Sequence, residues 1–117
     1  MPERDPRLLV EDMLAAIRKI ERYTSGMSQA MFQQDEKTLD AVVRNLEVVG
    51  EAARRVSAGF ASRHAEVPWR QVAGLRNRIV HDYFGLDLEI IWQVIRHDLP
   101  QLKASLEILE SAADSSR

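Results

Sequence analysis

The residue types best suited to chemistry in this chain lie together in one short segment, residues 76–83. It reads Arg-Asn-Arg-Ile-Val-His-Asp-Tyr. Arg76 can hold a phosphate through two parallel hydrogen bonds, and His81 can accept or donate a proton near neutral pH. Tyr83 adds a hydroxyl group. Together these groups predict chemistry on a phosphodiester such as RNA, without help from a metal ion or a cofactor.

Neighbouring side chains are candidates for supporting roles around His81. Arg78, like Arg76, brings a fixed positive charge close to the imidazole in the sequence. Asn77 precedes His81 by four residues, so on a continuous helix its amide would share a face with the ring and could orient it. Tyr83 has two interpretations: a ring packed at a rim or interface with a wet hydroxyl, or a phosphate contact or modification site.

The spacing of Arg76 and His81 raises a geometric problem. On a straight helix, successive residues are about 100° apart, so these two side chains would point roughly 140° away from each other. Either the long arginine reaches around the helix, or two copies of the chain contribute to one cleft. We favour the second solution, because a helical chain of 117 residues with this much apolar surface is expected to form a homodimer.

No metal site and no cofactor is predicted. The chain has no cysteine, and its three histidines do not show the i, i+4 spacing of a zinc site on a helix. His97 is expected at the surface of the last helix, and His64 in a polar loop.

Composition limits the function classes further. The net charge of −2 argues against a strongly basic nucleic-acid coat protein, and no DNA partner is expected, although a local basic patch could still serve an RNA enzyme. No apolar run approaches the roughly 20 residues that span a bilayer, so we expect a cytoplasmic protein without a membrane partner. The length predicts a single domain over residues 1–117, with an ordered core of about 5–110.

Apolar spacing predicts an all-α fold, an up-and-down four-helix bundle with one or two short extra helices. The first helix should run from about Pro6 to Tyr23, and a short one over residues 28–33. A second long helix should follow Asp35 as N-cap and continue to about Val56. Residues 56–67 read as a loop with a short helical turn near residues 60–64.

The second half of the chain predicts two more main helices. One should start at Pro68 and carry the segment 76–83, ending at residues 83–85. The last should be capped by Asp87, and Pro100 inside it should kink it or delay its hydrogen bonding by a turn. Trp69 and Trp92 fall on apolar stripes and are expected in the core or an interface.

Two features of the second long helix have open interpretations. Gly50 lies inside this helix, where glycine costs about 1 kcal/mol relative to alanine, so it indicates a close helix–helix approach or a close approach to a bound group. Glu47 and Glu51 are one turn apart. They could face the helix that carries Arg76 and pair with its arginines, or they could belong to a solvated face.

The pattern Arg-x4-His-x-Tyr, formed by Arg76, His81 and Tyr83, resembles the motif of the HepT-like toxins in the HEPN superfamily of helical ribonucleases. The likeness extends from about Asp5 to Leu109. It includes Asn-Leu-Glu-Val-Val-Gly-Glu-Ala-Ala at residues 45–53 and the segments 68–70, 84–88 and 98–100.

The resemblance implies a homodimer in which the motifs of both subunits meet in a cleft. It implies a metal-independent endoribonuclease that acts as a toxin, with Arg76 and His81 as catalytic residues and Asn77 and Arg78 in support. It also implies a minimal nucleotidyltransferase as antitoxin, able to transfer AMP from ATP onto Tyr83. The alternative is a non-catalytic binding partner that presents Tyr83 to the nucleotidyltransferase without cleaving RNA.

Overall fold

Helices account for nearly all regular structure in the part of the chain that the computed structural model describes, residues 4–80 and 85–115. The predicted all-α class is confirmed. The elements are α1 (Pro6–Thr24), α2 (Gln29–Gln34), α3 (Glu36–Arg54), α4 (Ala58–Arg63), α5 (Trp69–Ala73), α6 (Leu75–Ile79), α7 (Leu88–Gln93), a π-helical turn (Val94–Asp98) and α8 (Leu99–Ser115). None of the described helices combines the length and apolar character that crossing a bilayer requires.

Polar side chains begin the helices at the positions where the sequence predicts them. The Asp35 carboxylate accepts a hydrogen bond from the Thr38 backbone N–H at 3.0 Å, and Asp87 accepts one from Ile90 N–H at 3.0 Å. These bonds satisfy N–H groups that have no partner in the first turn of a helix. The bond from Thr38 also holds the pKa of Asp35 below its ordinary value. Both predicted N-caps are therefore confirmed.

The core lies between α1, α3 and the last helix. The predicted apolar faces of these helices are buried, and Phe32 of α2 packs against Trp92 with ring centroids 5.4 Å apart. Trp69 and Trp92 both lie in this core, as predicted. The deepest aliphatic and thioether side chains are Leu9, Met13, Leu14, Ile17, Ile20, Leu46, Ile79, Ile91, Leu99, Leu106 and Leu109.

Pro100 changes the hydrogen bonding of the last helix without ending it. α7, the π-helical turn and α8 follow one another with helical torsions at Val94 and Leu99. The Leu99 N–H donates to the carbonyl of Val94, five residues back rather than four. Because proline has no N–H and its ring crowds the preceding turn, a wider turn just before it relieves both problems. Pro100 does alter the hydrogen bonding of the last helix, as predicted, but through one wider turn rather than a delay of a whole turn.

The predicted third helix is wrong in its length and continuity. It is split at Gly74 into α5 and α6, and it ends at Ile79. Val80 has extended torsions (φ −99°, ψ 123°) and forms an isolated antiparallel bridge with Leu86, and the Asp87 N–H donates to the Ile79 carbonyl at 2.8 Å. A β-branched residue such as Val80 favours this extended conformation.

Gly50 allows α3 and α5 to approach each other closely. A Cβ atom at this position would lie 3.3 Å from the backbone carbonyl oxygen of Val72 and 3.7 Å from that of Ala73. The interpretation as a close helix–helix approach is therefore confirmed. Since α6 follows α5 directly, this contact also sets the position of Arg76 relative to α3.

Replacing Gly50 with leucine is expected to lower the free energy of unfolding by about 1–3 kcal/mol, because the larger side chain would overpack a contact made by rigid backbone. Urea denaturation measures this change. Gly59→Ala is the matched control, since its Cβ would meet only the Arg63 side chain at 3.7 Å. We expect that control to be neutral or stabilising by up to about 1 kcal/mol. Unchanged stability of Gly50→Leu would contradict the close approach.

Candidate active site

Helix α6 presents the motif's first residues to solvent. Leu75 and Ile79 are buried, and they lie four residues apart on the same face of the helix. Arg76, Asn77 and Arg78, which lie between them, are exposed. The two apolar anchors thus fix the short helix on the core while its polar side chains remain accessible.

Arg76 and Asn77 line a depression of about 670 Å³ between α1, α3, α5 and α6. The charged residues around it are mostly contributed by α3, a helix that the motif does not include. They are Asp12, Arg44, Glu47, Glu51, Arg54, Arg55 and Arg76. The depression is large enough for a ligand the size of a nucleotide.

Two of the acidic groups in this depression are already paired. Asp12 forms a salt bridge with Arg4 at 3.1 Å. Glu51 accepts two hydrogen bonds from Arg54, at 2.8 and 3.1 Å. The Arg54 guanidinium, with a smaller contribution from Arg55, lowers the pKa of Glu51, and Glu51 raises the pKa of Arg54.

Positive charge therefore predominates among the charged side chains of the depression that form no salt bridge. Within the described residues, Arg44, Arg55 and Arg76 form no salt bridge, and Glu47 is the one lining carboxylate without one. A chain with a net charge of −2 thus concentrates guanidinium groups on one surface. Glu47 and Glu51 do face the depression beside α6, but Glu51 pairs with an arginine of its own helix rather than with Arg76 or Arg78.

Arg78 lies on a different side of α6. Its guanidinium pairs with Asp98 at 2.5 Å, and both residues line a second hollow of about 390 Å³ between α5, α6 and the last helix. Because both side chains are about half exposed, such a pair contributes at most about 1 kcal/mol. The structure therefore brings Arg76 and Asn77 together and directs Arg78 away from them. The supporting role of Arg78 stays a prediction.

His81 and Tyr83 lie outside the described residues, so their predicted roles also stay predictions. The structure describes the residues that flank them. Val80 and Leu86 pair across this segment, and Gly85 has a positive φ of 90° that few other residues adopt easily. The straight-helix angle between Arg76 and His81 does not apply, because Val80 is already extended.

Arg44, Arg54 and Arg55 also line the depression that contains Arg76, and the motif gives no indication of them. A signal for two of them was available: Arg44 and Arg55, the C-cap residue of α3, are 11 residues apart, close to three helical turns, and so point in similar directions.

Metal ligands are not gathered in the described part of the chain. No group of three or more His, Cys, Asp or Glu residues there could hold a metal ion. The Nδ1 atom of His64 lies 3.6 Å from the Oε1 atom of Glu66. His97 is exposed on the π-helical turn, as predicted. The expectation that the reaction needs no metal stays a prediction.

The family model "Ribonuclease HepT-like" matches residues 13–109, a span that contains all of α3 and α6 and most of α8. The chain belongs to the HepT-like ribonuclease family. The resemblance carried by Arg76, His81 and Tyr83 is thereby confirmed, and so is the enzyme class, a ribonuclease of the HEPN type.

Individual relatives are similar to this member of the HepT-like family over nearly their whole length. A Thermococcus cleftensis protein named "Probable ribonuclease HepT" is 39% identical over 100 residues, covering 86% of this chain and 91% of the relative. A Methanocaldococcus jannaschii protein named "Putative RNase MJ0127" is 37% identical over 111 residues, covering 94% and 92%. No solved structure matches this chain significantly.

Proposed function

We propose that this HepT-like protein is a toxin that cuts RNA internally without a metal ion, using the 2′-hydroxyl of the RNA as the nucleophile. The observation that carries the proposal is the exposed Arg76 at a depression where unpaired guanidinium groups outnumber unpaired carboxylates. A phosphodiester is the natural ligand of such a surface, since arginine binds phosphate in a forked geometry. Membership of a ribonuclease family supplies the reaction class.

The reaction requires two proton transfers. A base removes the proton from the 2′-hydroxyl, whose oxygen then forms a bond to the neighbouring phosphorus. The bond from phosphorus to the 5′-oxygen breaks, and an acid protonates that leaving oxygen. The products are a 2′,3′-cyclic phosphate and a free 5′-hydroxyl. We assign the base to His81 of one subunit and the acid to His81 of the second subunit; each such role contributes about 10²–10⁴-fold in rate.

Arg76 stabilises the negative charge that increases on the phosphoryl oxygens as the transition state forms. A preorganised donor of this kind contributes about 10²–10³-fold when its position matches the developing charge. Asn77, which lines the same depression, orients the His81 ring. Arg78 supports the site from the other side of α6, where its bond to Asp98 connects the motif helix to the π-helical turn.

A homodimer completes the site in this proposal. The one cleft between the copies then contains Arg76 and His81 of both, so that one type of residue supplies both the base and the acid. Val80, which directly precedes His81, is 36% exposed. An exposed valine beside the motif is consistent with a surface that a second copy covers.

The proposed antitoxin is a minimal nucleotidyltransferase that inactivates the enzyme through Tyr83. The tyrosine oxygen would attack the α-phosphorus of ATP, pyrophosphate would leave, and the phenolic proton would pass to solvent. The added AMP brings bulk and negative charge to the motif. It would both obstruct RNA and occupy the guanidinium groups that RNA needs.

Co-expression tests this function. The protein expressed alone should arrest growth and degrade cellular RNA, and co-expression with the proposed nucleotidyltransferase antitoxin should restore growth. The intact mass should then increase by one or more adenylyl groups, and Tyr83→Phe should prevent the increase. Addition of AMP without RNA cleavage by the unmodified protein would overturn the proposal in favour of a non-catalytic partner.

A further inference from the structure

Arg44 of α3 and Arg55, the C-cap residue of this helix, lie outside the motif yet line the same depression. Arg44 and Arg55 are separated by 11 residues, so they differ by about 20° in direction and about 16 Å along the helix axis. The depression that they line is the one that contains Arg76. Helix packing thus gathers three guanidinium groups from two elements that are far apart in sequence.

Core packing does not explain these two arginines. Both are exposed, and neither forms a salt bridge with any described residue. Arg54, their neighbour, differs because Glu51 already occupies its guanidinium through two hydrogen bonds. Arg44 and Arg55 are therefore available to an anionic ligand, whereas Arg54 would first have to give up its partner.

The distance along α3 decides which ligand fits. About 16 Å corresponds to about five phosphates of a stacked strand, and to fewer of an extended one. One scissile phosphate at Arg76 would contact both Arg44 and Arg55, the arginine row, only if both side chains extended toward each other along the helix. A chain of phosphates can contact both arginines without this.

We propose that Arg44 and Arg55 bind RNA phosphates that flank the scissile one, so that single-stranded RNA runs along α3 past Arg76. This assignment rests on the proposed ribonuclease function. Phosphate contacts carry no base information, so the row strengthens binding to all sequences alike and makes the enzyme favour long substrates over very short ones. Glu47, the unpaired carboxylate beside the row, opposes binding.

Binding is measured with a short single-stranded RNA that carries 2′-O-methyl groups throughout and so cannot be cleaved. Arg44→Ala and Arg55→Ala should each weaken binding about fivefold at 0.1 M salt, and should reduce the slope of log affinity against log salt by about 0.7. Arg18→Ala is the matched control, because Arg18 is an exposed arginine of α1 outside the depression. It should leave affinity and slope unchanged.

Two further variants separate a charge effect from a loss of structure. Glu47→Gln should tighten binding and leave the salt slope unchanged, a gain that damaged folding would not produce. Arg44→Lys keeps the positive charge and should restore most of the slope. Weaker binding by Glu47→Gln would contradict the assignment.

Cleavage of a dinucleoside monophosphate provides the second arm, since this substrate contains only the scissile phosphate. Arg44→Ala and Arg55→Ala should cleave it at the wild-type rate while their KM for longer RNA rises. Loss of dinucleotide cleavage in these variants would place the arginines at the scissile phosphate. RNA affinity and salt slope equal to those of Arg18→Ala would show that they do not bind RNA. Either result overturns the assignment. If the wild type binds RNA through Arg44 and Arg55 without cleaving any substrate, the proposed ribonuclease function is contradicted, but the assignment of these arginines to RNA binding is supported.

Discussion

His81→Ala is expected to reduce RNA cleavage below detection. Because the proposed base and acid are the same residue in two subunits, one substitution removes both groups. Each proton transfer contributes about 10²–10⁴-fold, so the combined loss exceeds what a single-site acid or base would produce. The initial rate of cleavage of a fluorophore–quencher RNA, measured with excess chelator, gives the activity, and growth after induction gives the toxicity.

His97→Ala is the matched control for this experiment. His97 is an exposed imidazole of the same chain, on the π-helical turn, and it lines neither hollow. Its replacement should leave both cleavage and growth arrest unchanged. Full activity of His81→Ala would remove the histidine from the mechanism.

Arg76→Ala is expected to lower kcat and kcat/KM together by about 10²–10³-fold, as happens when an interaction made only in the transition state is removed. Arg76→Lys should be intermediate, because lysine retains the charge but cannot form two parallel hydrogen bonds. Steady-state kinetics on a short RNA measures both constants. The matched control is again Arg18→Ala.

Arg76 is distinguished from Arg44 and Arg55 by which kinetic constant each substitution changes. Arg44→Ala and Arg55→Ala should mainly raise KM for long RNA, since their phosphates do not react. An Arg76→Ala enzyme with unchanged kcat and a raised KM would show that Arg76 contributes binding rather than transition-state stabilisation.

The long helices could be predicted from the sequence because their signals are local. The first helix is predicted from about Pro6 to Tyr23 and is observed over Pro6–Thr24. Its apolar residues recur at helical spacing, and a proline marks its start. The capping of α3 by Asp35 and of α7 by Asp87 follows the same logic.

The break in the motif helix could not be predicted in this way. The apolar residues Trp69, Val72, Leu75 and Ile79 fit a continuous helix as well as two short ones. The break depends on contacts outside the helix itself. The backbone of Val72 packs closely against Gly50 of α3, and Val80 pairs with Leu86. Helical spacing contains no information about either contact.

The candidate site was predictable only for the residues that the local motif contains. Arg76 and Asn77 stand out through the motif, and they do line one depression. The 11-residue spacing of Arg44 and Arg55 places them in similar directions, but exposed arginines are ordinary on an amphipathic helix, so the spacing alone does not mark a site. Only the packing of α3 beside α6 makes them neighbours of Arg76.

Cleavage of one RNA and of its singly 2′-deoxy-substituted counterpart, both in excess chelator, shows whether the 2′-hydroxyl is the nucleophile. We expect cleavage of the all-ribose strand with 2′,3′-cyclic phosphate and 5′-hydroxyl ends. We expect no cleavage at the bond whose 2′-hydroxyl is missing. Cleavage at that bond, 5′-phosphate ends, or activity that disappears with the chelator would contradict this mechanism.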